Sequence, residues 1–395
     1  MTVPLWVWAI TIAFIVGLLL FDFIFHVRQA HIPTLKEAAF WSAVYVGVAV
    51  VFGVVLWAVS PGHTMGVEYF AGYITEKALS VDNLFVFLVI MSSFAVPRAD
   101  QQKVLLFGIV FALISRSALI FAGKAMIDYF EWTFYIFGLI LIVTAGKLLA
   151  PEKEGDDEAN NFMIRLAKKY LRTTDHYDGD KLFTYENGRR VLTPMLLVMV
   201  AIGLTDVLFA FDSVPAIYGL TTDVYIVFTA TAFSLMGLRQ LYFLIDGLLD
   251  RLIYLKYGLS LILAFIGVKL VLHALHENSV PFINGGEPVP VIEIETTHSL
   301  LVILGILTVT VIASLASPKG RVASLAGQAE RAARAYLEVE FHADPEEREA
   351  EYAKMLAHEK ALHSLDAALV EDLLSDSELS RLLERAHAVH IQHTT

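Results

Sequence analysis

The sequence predicts an all-α polytopic membrane protein. Apolar runs of span length recur from end to end, and 56% of residues are hydrophobic against 18% charged, with a mean hydropathy of +0.62. A soluble core of 395 residues has no need for repeated apolar runs of about 20 residues. A transmembrane barrel would instead show short alternating segments. The absence of cysteine excludes disulfides, thiolate metal sites and Cys nucleophiles. The formal net charge of −12 argues against a nucleic-acid partner. The lipid bilayer is the first partner expected.

About nine transmembrane helices are predicted, at 3–25, 38–59, 67–94, 104–123, 132–150, 193–219, 224–245, 251–275 and 298–316. The first run, VPLWVWAITIAFIVGLLLFDFIF, has neither a basic leader nor a small-residue cleavage site, so it reads as a retained helix. The chain then divides into two N-terminal helices (1–66), a three-helix unit (67–150), a loop (151–192), a second three-helix unit (193–275), a loop with the last helix (276–316), and a tail (317–395). The tail is rich in Ala, Glu and Leu at helical spacing and reads as two or three amphipathic helices with a break near ADPEE. It offers a surface for homo-oligomerisation or for docking on the membrane part, and the sequence does not choose between them. The loop 151–192 reads as a partly ordered linker.

Lys and Arg accumulate in cytoplasmic loops. Arg28 and Lys36, Arg98 and Lys103, and eight basic residues in 151–192 mark alternate loops, whereas 60–66 and 276–297 contain none. The expected orientation therefore has the N-terminus outside and the tail inside.

Charge inside the third and sixth runs requires a reason, since one charged side chain at mid-bilayer costs about 2.5–3.5 kcal/mol on insertion scales. EKALSVDN (76–83) aligns with DVLFAFDS (206–213), so that Glu76 matches Asp206, Asp82 matches Asp212, and Asn83 matches Ser213. Gly72 and Gly203 precede the two copies. Arg116 and Arg239 follow in the next span of each set, and Lys147 and Lys269 in the third. The offsets of 130, 123 and 122 positions fit a duplicated three-helix unit. Three helices is an odd number, so the copies insert as an inverted repeat, an architecture in which transporters bind substrate at mid-membrane.

Acids six residues apart on one helix are about 9 Å apart along the axis and about 120° apart around it. Either the helices unwind, as Gly72, Gly203 and Pro215 permit, or the acids form two successive sites. Glu76, Asp82, Asp206 and Asp212 supply hard carboxylate oxygens, and Asn83, Ser80, Thr205 and Ser213 neutral ones. Such a set suits Mg²⁺, Ca²⁺ or Mn²⁺ rather than Cu(I) or Zn²⁺. The candidate metal residues are thus Glu76, Asp82, Asn83, Asp206, Asp212 and Ser213. The competing explanation is that buried acids pair with Lys77, Arg116, Arg239, Lys147 and Lys269. A carboxylate clamp explains the two arginines at least as well as transport does, and Lys147 and Lys269 can snorkel. Lys77 faces away from Glu76, with Asp246 or Asp128 as expected partners. His387, His390 and His393 read as part of a solvated tail helix more readily than as a metal site, and Asp22 with His26 as an interfacial hydrogen-bonding pair.

EYFAGYITEKALSVDNLFVFLVIMSSF, TDVLFAFDSVPAIYGLT and FDFIFH together resemble the TerC family of bacterial integral membrane proteins, in its Alx-like branch, over about residues 1–316. The resemblance implies manganese(II) export, a historical association with tellurium resistance, and intramembrane acids at Glu76, Asp82, Asp206 and Asp212 with Asn83 and Ser213 beside them. It says nothing about the tail. The expected function is export of a hard divalent cation, Mn²⁺ first, as transported substrate with no bound cofactor. Tellurite handling and a scaffold that delivers metal to secreted proteins are the alternatives. With no nucleophile, nucleotide-binding loop or catalytic metal motif in the sequence, an enzyme is not expected.

Overall fold

The computed structural model describes residues 3–27, 35–94, 96–130, 132–149, 181–186, 189–245, 252–278, 280–281, 283–339, 345–365 and 378–394. Each long apolar run in these residues is a helix, because a helix satisfies its own backbone where lipid offers no hydrogen bonds. In chain order they are α1 (Leu5–Asp22, continued by a π-helical turn Phe23–Val27), α2 (Leu35–Val59), α3 (Thr64–Ser93), α4 (Arg98–Tyr129) and α5 (Thr133–Leu149). After a hairpin come α6 (Pro194–Tyr218), α7 (Val224–Leu235), α8 (Leu238–Ile245), α9 (Leu255–His276) and α10 (Thr296–Ala316). Seven stretches among the described residues are long and apolar enough to cross a membrane, and α5 is a shorter apolar helix. The charged α3, 30 residues long, is not among them.

Contacts cluster the chain into two units, Met1–Phe243 with Lys256–Leu307, and Leu244–Leu255 with Thr308–Thr395. In the first unit α7 is the central helix. Every residue from Tyr225 to Leu235 is buried, and α3 and α4 pack against it along much of their length. Helices α1 and α2 also touch α7, and α6 packs between α4, α3 and α5. By contrast α1 and α2 leave large apolar side chains such as Trp6, Ile10, Val51 and Val55 exposed, as a lipid-facing surface requires. Asp223 caps α7 by accepting from the Tyr225 amide at 2.9 Å, and Pro194 opens α6 at a position where no amide donor is missed.

A close helix crossing joins α5 to α9 at Gly138 and Gly267. A Cβ on Gly138 would lie 2.8 Å from the Gly267 carbonyl oxygen and 2.7 Å from Val271 Cγ2, and a Cβ on Gly267 would lie 3.0 Å from the Gly138 oxygen. Small residues allow such backbone approach in membrane helices. Gly138→Ala is therefore expected to destabilise the detergent-purified chain by about 1–3 kcal/mol, read as a lower melting temperature. Unchanged melting would show that the crossing relaxes freely.

Of the two geometries the sequence left open, the helices themselves show continuity. Neither α3 nor α6 unwinds at Gly72, Gly203 or Pro215. The break falls instead inside the predicted span 224–245, between α7 and α8, where Met236 adopts ψ 138° and Gly237 a φ of +75°. The loop 151–192, expected as a partly ordered linker, ends in a hairpin. Residues 151–180 lie outside the described residues, but β1 (Phe183–Glu186) and β2 (Arg189–Leu192) pair antiparallel with Phe183 opposite Leu192.

The second unit contains the tail helices α11 (Pro318–Val339), α12 (Pro345–His363) and α13 (Glu378–Thr394). Their apolar faces meet in a core of Val322, Ala326, Ala333, Tyr336, Met355 and Leu383, among others. The expected break near ADPEE falls on 340–344, outside the described residues. The tail histidines are not simply solvated. His387 Nε2 lies 3.0 Å from Glu359 and its Nδ1 2.8 Å from the Tyr352 hydroxyl, while His390 stacks on the Tyr352 ring at 3.5 Å. Burial, with Glu359 and Glu349 nearby, raises the Tyr352 phenol above its ordinary value. A phenol that keeps its proton donates to Nδ1, which leaves Nε2–H to donate to Glu359. The side chain of His393 lies outside the described residues.

Candidate functional site

Helices α3, α4 and α6 bring their polar residues to one buried point. Arg116 on α4 is fully buried, as are Glu76 on α3 and Asp206 on α6. The guanidinium grips Asp206 with two N–H groups, Nη2 to Oδ1 at 2.9 Å and Nε to Oδ2 at 3.3 Å. Its Nη1 donates to Ser213 Oγ at 3.2 Å and also meets Glu76 Oε1. With its amide oxygen turned inward, Asn83 accepts from Nη2 at 3.2 Å while its nitrogen donates to the Leu79 carbonyl at 3.1 Å. Four of the six residues marked by the sequence repeat, Glu76, Asn83, Asp206 and Ser213, therefore share one arginine.

The arrangement follows from helix geometry. Glu76 and Asn83 are seven residues apart, two turns along one face of α3, and Asp206 and Ser213 stand in the same relation on α6. Arg116, from a third helix, is long enough to reach both faces. One guanidinium is thus shared by two buried carboxyl groups. Glu76 Oε2 and Ser80 Oγ, one turn further along α3, have no hydrogen-bond partner among the described residues.

Asp212 lies elsewhere. Six residues after Asp206 on an unbroken helix, it turns toward α5 and accepts from Thr144 Oγ1 at 2.8 Å. Of the two geometries open from the sequence, successive levels rather than an unwound single site is the one found for Asp206 and Asp212. The Asp82 side chain lies outside the described residues. Thr205 turns back to its own helix, donating to the Ala201 carbonyl. Among the described residues no group of three or more His, Asp or Glu side chains is placed to hold a metal ion.

The second arginine of the repeat has different company. Arg239 on α8 grips Asp22 at the end of α1, with Nη2 to Oδ1 at 2.8 Å and Nε to Oδ2 at 3.1 Å, and Nη1 meets Gln102 of α4. Gln240 and Tyr45 donate to the same Asp22 at 2.9 and 3.0 Å. Asp22 is thus a buried anchor of α1; the side chain of His26, its expected partner, lies outside the described residues. Lys77 reaches backbone oxygens. It donates to the backbone carbonyls of Ser234 at 3.0 Å and Met236 at 3.4 Å, while Asp128 pairs with Lys124 at 2.5 Å and Asp246 lies outside the described residues.

One feature had no signal in the sequence reading. A cavity of about 270 Å³ opens beside the N-terminal part of α3, lined by Glu68, Thr221, Lys269, His273, Glu293 and others. Thr221 donates to Glu68 at 2.5 Å, and His273 contacts Glu293 at 3.2 Å. Glu68 lies eight residues before Glu76, about 12 Å along the helix axis.

Residues 61–321 match the Integral membrane protein TerC family, a stretch that contains the whole Arg116 cluster. The chain belongs to the TerC family. A membrane protein of Mycobacterium tuberculosis (strain ATCC 25618 / H37Rv) is 53% identical over 391 residues, covering 98% of each chain. A membrane protein of Myxococcus xanthus is 40% identical over 309 residues, 78% of this chain and 91% of its own. The protein of Escherichia coli (strain K12) named "Putative membrane-bound redox modulator Alx" is 39% identical over 252 residues, 62% of this chain and 78% of its own. No solved structure matches the chain. The TerC match starts before α3 and stops in the first turn of α11, so Asp22 on α1 and nearly all of the tail fall outside it.

Proposed function

We propose that this TerC-family chain is a secondary transporter that exports a hard divalent cation, Mn²⁺ first, from the cytoplasm through the buried carboxylates of α3 and α6. One observation carries the reading: acids and polar neighbours that the repeat aligns, Glu76 with Asp206 and Asn83 with Ser213, converge from two helices on one buried guanidinium. Arg116 is then the internal cation that neutralises the carboxylates between transport events. An arriving ion displaces the guanidinium and takes Glu76 and Asp206 as charged ligands, with Asn83 and Ser213 as neutral ones. Oxygen-only donors favour Mn²⁺, Mg²⁺ or Ca²⁺ over softer metals. Asp212, one level away, is the next station, and Asp82 is the residue that the repeat aligns with it. Export is the direction that the family resemblance implies, and the loop charges support an orientation with the N-terminus outside and the tail inside. The redox role in the name of the Escherichia coli relative cannot use thiols here, since the chain has no cysteine. Any such role would run through the metal carried.

Manganese uptake into inside-out vesicles tests the proposal. Wild type is expected to accumulate Mn²⁺, Glu76→Gln and Asp206→Asn to lose accumulation, and Ser213→Ala to lower apparent affinity by roughly 10-fold or more. Equal flux in wild type, Glu76→Gln and Asp206→Asn would remove the cluster from the path.

A further inference from the structure

The cavity beside α3 has one wall that is not a helix. Residues 290–295, PVIEIE, run without regular secondary structure between two ties. At one end the Val289 amide donates to the Leu275 carbonyl at 3.0 Å, and at the other Thr296 Oγ1 donates to the Leu220 carbonyl at 2.9 Å. Glu293, Ile294 and Glu295 of this strap line the cavity together with Glu68 and Lys269. Among the described residues the middle of the strap is held by one hydrogen bond, from His273 of α9 to Glu293.

That histidine meets a carboxylate at each ring nitrogen. Nδ1 lies 3.2 Å from Glu293 Oε1, and Nε2 lies 3.4 Å from Glu277 Oε2, one helical turn further along α9. A neutral imidazole has one N–H and one lone pair, so it donates to one of these carboxylates and turns a lone pair toward the other. Only the imidazolium donates to both. His387 in the tail is different, since it meets one carboxylate and one phenol hydroxyl, a pair that suits a neutral ring. The remaining charged groups at the cavity are Lys269, one turn before His273 on α9, Glu68 from α3 and Glu295 from the strap. Helix α5 contributes the uncharged Phe134, whose ring packs at right angles to the imidazole at 4.8 Å.

We infer that residues 290–295 are a proton-controlled strap over the cavity: the His273 imidazolium, set between Glu277 and Glu293, latches the strap shut, and loss of its proton loosens it. The sign follows from linkage. The shut strap holds the protonated ring, so closure strengthens as pH falls through the range in which histidine titrates and weakens as pH rises through it. Access to Glu68, on the helix that also carries Glu76, is thereby set by the pH on the face of the chain where this loop lies. The strap is separate from the carboxylate cluster, and its behaviour does not depend on what ion that cluster carries.

Thiol labelling of the purified full-length chain tests it, because a protein without cysteine reports from one introduced thiol at a time. Ile294→Cys places the thiol on the half-buried, cavity-lining part of the strap, and Ile292→Cys, at a position 82% exposed, is the open reference. Dividing the maleimide rate of the first by that of the second at each pH cancels the titration of the thiol itself. With His273 intact the ratio is expected to rise roughly 2- to 5-fold from about pH 6 to about pH 8, the factor that a partly exposed ion pair supplies. In His273→Gln and in Glu293→Gln it is expected to be high already at the lower pH and to stay level, and Glu277→Gln is expected to lose part of the rise. A ratio that does not change with pH while His273 is intact overturns the inference. So does the same rise in Glu293→Gln, an exposed substitution that decides the matter even if His273→Gln fails to accumulate.

Discussion

Arg116→Met is expected to destabilise the purified chain by about 3–5 kcal/mol, among the largest single-residue losses in the membrane unit. The cause is not the loss of an attractive pair. Glu76 and Asp206 are left as two buried carboxylates with no counter-charge, in a core where water does not replace the guanidinium. Replacing all three groups by apolar residues of similar size, Glu76→Leu, Arg116→Met and Asp206→Leu together, is expected to recover most of that loss, since the desolvation cost disappears with the charges. The recovered protein is then the informative one. Under the proposed function it melts near wild type and moves no Mn²⁺ in inside-out vesicles. If it both melts and transports like wild type, the cluster is neither needed for stability nor part of the path, and another route for the ion must be sought. A triple variant that remains as unstable as Arg116→Met would show instead that the polar network specifies the packing of α3, α4 and α6.

Hydropathy located the helices because burial in lipid imposes a strong and simple pattern, but it underestimated their ends. Helix α4 runs from Arg98 to Tyr129 although its apolar run covers only 104–123, since Asp100 and Lys103 extend the helix beyond the hydrocarbon. The repeat was informative for pairs of residues and not for their surroundings. It aligned Glu76 with Asp206, which do meet, and Arg116 with Arg239, which do not share an environment. Arg239 is claimed by Asp22 from α1, a helix outside the repeat, and no internal comparison of the two units contains that information. The break at Met236–Gly237 was missed because hydropathy is blind to φ. The one local sign was a glycine in SLMGLRQ, between a run that is buried all round and a pair of polar residues. Lys77 was assigned to carboxylates for the same reason: carbonyls become available as acceptors only once a helix is known to stop. Charge patterns in a sequence show side-chain partners, and backbone partners stay hidden until the fold is in hand.

The Asp22 cluster is expected to separate stability from transport in the opposite sense. Asp22 accepts from two Arg239 nitrogens, Gln240 and Tyr45, three of the bonds at Oδ1 and one at Oδ2, so both of its oxygens are engaged by the protein. Asp22→Ala strips the partner from a buried guanidinium and is expected to cost about 3–5 kcal/mol, read as a sharp fall in melting temperature. Asp22→Asn keeps an oxygen for Tyr45 and Gln240 but removes the charge. It is expected to lower the melting temperature less than Asp22→Ala, with Mn²⁺ flux per folded molecule equal to wild type. Asp206→Asn also removes one buried charge facing an arginine, yet there the expected loss is in flux. The difference lies in the oxygens: both of Asp22 accept from the protein, whereas at the Arg116 cluster Glu76 Oε2 has no hydrogen-bond partner among the described residues. If Asp22→Asn abolishes flux in protein that is demonstrably folded, an arginine grip on a carboxylate does not distinguish anchor from ion path in this fold. Transport would then depend on the α1–α8 contact as a moving joint.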